Sequence, residues 1–70
     1  MSQAIINEIK KQWVGERCWL VVAGVEYESK VTGRANDFAS VAPLDAGIPT
    51  VPFNWFTVNR IMREGKTFRA

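Results

Sequence analysis

The chain has 70 residues, 47% of them hydrophobic, with a formal charge of +2, no histidine and one cysteine, Cys18. That length supports one hydrophobic core and not two, the lone cysteine excludes an intrachain disulfide, and the absence of histidine removes a zinc-type ligand cluster. A domain this small buries only about 60% of its unfolded surface, so self-association becomes the expected source of further stability.

Ser2 is placed to cap a helix over about residues 3–14, in which Ile5 or Ile6, Ile9 and Trp13 recur at the spacing of one helical face and Gly15 gives the stop. Lys10, Lys11 and Gln12 take the other side, so this amphipathic helix is expected to dock on the protein's own sheet. Arg17 to Ala23 then reads as a strand, with Gly24 as the turn. From Val25 to Thr32 apolar and polar residues alternate, the pattern of a strand buried on one face, and the two strands make a hairpin. Gly33 lets the second strand bend, Arg34 to Asp37 is a loop, and Phe38 to Leu44 is a third run. Pro49 and Pro52 place the next strand, ending in Phe53-Asn54-Trp55-Phe56, at a sheet edge. Thr57 to Met62 reads as a short fifth strand, and residues 63–70 as a polar basic tail.

A helix followed by five short strands over about residues 17–62 predicts a mainly β, single domain spanning 1–70. Its architecture is a small, strongly bent antiparallel barrel of SH3-like type. An OB barrel fits less well, since Asp45 to Pro49 is too short for the helix it needs between its third and fourth strands. No stretch reaches the roughly 18 apolar residues of a membrane span, and the first eight residues lack the basic start of a signal peptide. A cytoplasmic protein is the expectation.

The order of elements, with two final strands joined almost without a loop, resembles the Sm/LSm family of ring-forming RNA-binding proteins. Asn36-Asp37-Phe38-Ala39-Ser40 follows the shape of the family's first motif: Asn36 stands at its aspartate, Phe38 at its aromatic and Ser40 at its asparagine. Phe53 to Ile61 follows the period of the second motif, with Phe53, Val58 and Ile61 at its apolar positions, while Asn54 and Trp55 replace its basic residue and glycine. The resemblance implies that Phe38 stacks a base, that Ser40 reads its edge weakly, and that Asn54 is a neutral substitute for the basic residue. It also implies edge-to-edge pairing between neighbouring subunits at the fourth and fifth strands.

The residues themselves point to the same segment for a contact. As a strand, 53–56 would carry Phe53 and Trp55 on one face and Phe56 on the other, and a strand apolar on both faces needs cover on both. A neighbouring subunit touching Val51, Phe53, Trp55, Phe56 and Val58 is one cover, and the N-terminal helix is the other. In the last twelve residues Arg60, Arg63, Lys66 and Arg69 face one acid, Glu64. Arg34, Arg60 and Arg63 are therefore expected to contribute charge toward phosphates, although a solvated, solubilising tail explains the same residues.

No histidine, no Gly-rich phosphate loop and a cysteine inside an apolar run leave no signal for catalysis. The expected function is binding of RNA or single-stranded DNA by a homo-oligomeric ring, with no cofactor, no metal and no membrane partner. The competing expectation is an SH3-like adaptor whose exposed fourth strand binds a protein.

Overall fold

The structure is a computed structural model describing residues 2–33 and 37–70. Arg34 and Asn36 lie outside the described residues, as does the side chain of Ser2. The elements are α1 (Ser2–Trp13), β1 (Arg17–Val22), β2 (Val25–Gly33), β3 (Phe38–Pro43), β4 (Val51–Asn54), α2 (Trp55–Glu64) and β5 (Thr67–Arg69). An N-terminal helix thus precedes five strands in one strongly curled sheet, ordered β4-β3-β2-β1-β5, which forms a half-barrel.

The β1–β2 hairpin turns on Ala23 and Gly24, both at positive φ (51° and 79°). Two such residues give the twist that antiparallel strands need across a two-residue loop. β2 is long because it serves two partners, pairing β1 over Val25–Lys30 and β3 over Ser29–Gly33. Strand parity then divides the side chains. Cys18, Leu20, Val31, Ala39, Val41 and Phe68 enter the core, whereas Arg17, Trp19, Glu28, Lys30, Phe38 and Arg69 alternate with them on the other face.

Two expectations are corrected in the last sixteen residues. Thr57–Met62 is not a strand but the body of α2. Trp55, Val58 and Met62, three and four residues apart, make one buried helical face. Asn54 caps this helix by accepting the Phe56 N–H at its Oδ1, 2.8 Å away, and Gly65 closes it by donating to the Ile61 carbonyl. The fifth strand comes instead from the expected tail: β5 pairs with β1 in register Trp19↔Thr67 and Leu20↔Phe68, and the pairing is parallel. The sheet is therefore mixed rather than antiparallel, and α2 links its two edge strands. Those edges curl toward each other until Phe53 of β4 and Phe68 of β5 meet, ring centroids 5.0 Å apart.

α1 buries Ile6 and Ile9 and lies chiefly against α2 rather than on the sheet. The Trp13 indole N–H donates to Asn59 Oδ1 at 2.9 Å, tying the two helices. Gly15, at φ 92°, ends α1 and donates to the Val31 carbonyl, which anchors the connection to β2.

Candidate nucleic-acid interface

Parity puts Phe38 on the sheet face that the helices leave free, where it is 48% exposed. Asn54 stands opposite it in the β3–β4 ladder. The pocket expected around Phe38 is otherwise not assembled. Ser40 is buried opposite Pro52, and its carbonyl accepts the Thr32 hydroxyl. The Asn54 side-chain oxygen is engaged by the helix it caps. Phe38 therefore offers a stacking surface without the two neighbours that would read a base. Arg60 and Arg63 stand on α2, away from that face, and Arg34 and Asn36 fall outside the described residues.

The residues expected at a subunit contact separate in the same way. Trp55 and Val58 are fully buried in the chain's own core, so neither can meet a neighbour. Their burial follows from the helical spacing, which turns both inward. Val51 and Phe53 are half-buried and pack against the core, and only Phe56 is well exposed. The cover that the aromatic segment needs is internal, because α2 has replaced the strand.

A concavity lies elsewhere, between α2 and the β5 edge, with a volume of about 500 Å³. Phe53 and Ile61 supply its apolar lining, and Thr57 and Thr67 its hydroxyls. Arg60, Lys66 and Arg69 line it from three elements: the helix, the turn after it and the last strand. The acid among them, Glu64, is held by Arg60 at 3.5 Å, an exposed i,i+4 pair. Three cations against one partly neutralised acid make the groove attractive to an anion. No protein-family model, curated protein or solved structure matches the chain.

The groove was half visible in the sequence. Arg60, Lys66 and Arg69 are a basic cluster there, but their convergence depends on α2 and β5, which period-two reading concealed. A second, smaller hollow of about 270 Å³ adjoins it across the Gly65–Lys66 turn and is lined by Arg17, Cys18, Trp19 and Glu28. Burial pushes the Cys18 thiol up to about 11, with Lys66 opposing the shift. Its thiolate is therefore scarce near neutral pH, and Cys18 is poorly suited as a nucleophile. Among the described residues, no group of three acidic, cysteine or histidine side chains converges as a metal site, and no helix is long and apolar enough to cross a membrane.

Proposed function

We propose that this protein binds single-stranded nucleic acid, RNA or DNA, through the groove between α2 and β5, and that it acts as a binding module rather than a catalyst. The observation that carries the reading is the convergence of Arg60, Lys66 and Arg69 on an open groove floored by Phe53 and Ile61. Arg60, Lys66 and Arg69 stand on three different elements, and a backbone carrying a phosphate on every nucleotide can reach each in turn. The groove's apolar floor gives the strand's sugars and bases a surface that a bare basic patch lacks. One chain carries the groove complete, so the reading needs no ring.

Salt dependence tests it. Three phosphate contacts with a single strand predict a slope of log K against log salt near −2, or an affinity loss of about 20-fold between 50 and 200 mM salt. Fluorescence anisotropy with short labelled RNA and DNA oligonucleotides reads this directly. Arg60→Ala and Arg69→Ala should each flatten the slope by about 0.7. Binding with no salt dependence, or none at all at low salt, would remove the proposal. An acidic protein could share the groove's electrostatics, and competition by such a protein with no affinity for oligonucleotides would point to the adaptor instead.

A further inference from the structure

We infer that Trp19 is a base-stacking platform: a single strand lying in the α2–β5 groove continues over the Gly65–Lys66 turn and places a base on the exposed indole. The inference rests on the groove reading above and adds a second site to it. Trp19 belongs to the half of β1 that faces away from the core, opposite Glu28 on β2 and Thr67 on β5. It is 44% exposed in the middle of a sheet, with a ladder partner on each side that holds the backbone still. A large aromatic fixed by two neighbouring strands, with its ring partly open to solvent, loses little conformational freedom when a base settles on it.

Continuity with the groove is the second observation. Gly65 and Lys66 line both hollows, so the turn between them is a shared rim and not a wall. Lys66 is held at φ 63°, in the left-handed region, with its carbonyl accepting the Trp19 N–H at 2.8 Å. That bond fixes the cation's backbone directly beside the indole. On the same side as Lys66, Arg17 lies two residues back along the strand, about 7 Å away on the same face, and is oriented by Glu28 at 2.8 Å. A base on Trp19 therefore has Lys66 and Arg17 on one side and Arg69, paired with Val21 on β5, on the other, the charge pattern of a sugar-phosphate chain passing over an aromatic. Glu28 neutralises part of Arg17, so Lys66 is the stronger of the two phosphate partners. Stacking on an indole face tolerates any base, and the site is expected to be indifferent to sequence.

Trp19 also supplies its own signal, since Trp55 is buried and Trp13 is half-buried and hydrogen-bonded to Asn59. Titrating the protein with an unlabelled oligouridine of about ten nucleotides should quench tryptophan emission, with the same midpoint as anisotropy. Trp19→Ala should weaken binding by at least about fivefold, while Trp19→Phe keeps most of the affinity and loses the quench. Trp19 is 44% exposed, so Trp19→Phe should melt close to the parent while Trp19→Ala, losing the covered part of the indole, melts somewhat lower. Affinities are compared well below both melting temperatures, and Trp19→Phe guards against a folding defect in the alanine variant. Salt-dependent binding that persists unchanged in Trp19→Ala, with the parent's emission unaffected by oligonucleotide, would overturn the platform and leave the groove standing. Failure of every oligonucleotide to bind would instead sink the groove reading, and the platform with it.

Discussion

Asn54→Ala separates two roles that the same residue cannot hold together. As the cap of α2, its Oδ1 satisfies the Phe56 N–H at 2.8 Å, and losing such a bond at a helix start costs about 1 kcal/mol within a range of about 0.5–2. For a domain of this length that is a fall in melting temperature of about 4–8 °C, readable in a far-UV circular dichroism melt. Asn54→Asp keeps the acceptor and adds a negative charge at the positive end of the helix, so it should melt at or above the parent. Under the capping role, oligonucleotide affinity measured well below the melting temperature stays the same in all three proteins. An alanine variant that melts with the parent yet binds RNA several-fold more weakly would refute this reasoning and return Asn54 to the base-reading role that the sequence pattern suggested.

Two further outcomes test the fold. Phe68→Ala should cost about 3–5 kcal/mol, the usual penalty for emptying a buried phenylalanine site, against a total stability of roughly 3.5–10 kcal/mol for a chain this long. Urea denaturation should show that loss as a lowered unfolding free energy and midpoint, and a loss below about 1 kcal/mol would mean that β5 is not part of the core. Light scattering should give the mass of one 7.9 kDa chain, since Trp55 and Val58 are covered from within. A discrete multimer would direct attention to the outer edge of β4, beside Phe56.

Most of the first forty residues could be read directly. The helix spacing of Ile6, Ile9 and Trp13, the alternation along β2 and the glycine turn are local signals, and each element formed where its own residues asked for it. Pro49 and Pro52 likewise placed β4 at an edge. Reading failed where a short apolar run fits two periods. Val58 and Ile61 or Met62 can be fitted to a strand, but Trp55, Val58 and Met62 fit a helix better, and Asn54 before them with Gly65 after them were cap signals at both ends. β5 gave almost no local signal, because Thr67-Phe68-Arg69 has a single apolar residue among charges. It becomes a strand only through its distant partner β1. Trp19 was concealed for a related reason: within Cys18–Val22 every residue is apolar, so only charged residues outside that run, Arg17 before it and Glu26 and Glu28 across the ladder, mark which parity faces out.

The split between the two faces of the sheet bears on how such a chain can change over generations. Leu20, Val31, Val41 and Phe68 answer to folding alone, while Trp19, Lys30, Phe38 and Arg69, displaced from them by one step of the pleat, carry little of the core. Substitutions at the second set can therefore accumulate without first being matched by repairs in the first. A scaffold wired in this way lets its outer face drift toward a new ligand while the interior stays fixed, so divergence in binding need not leave a trace in the residues that define the fold.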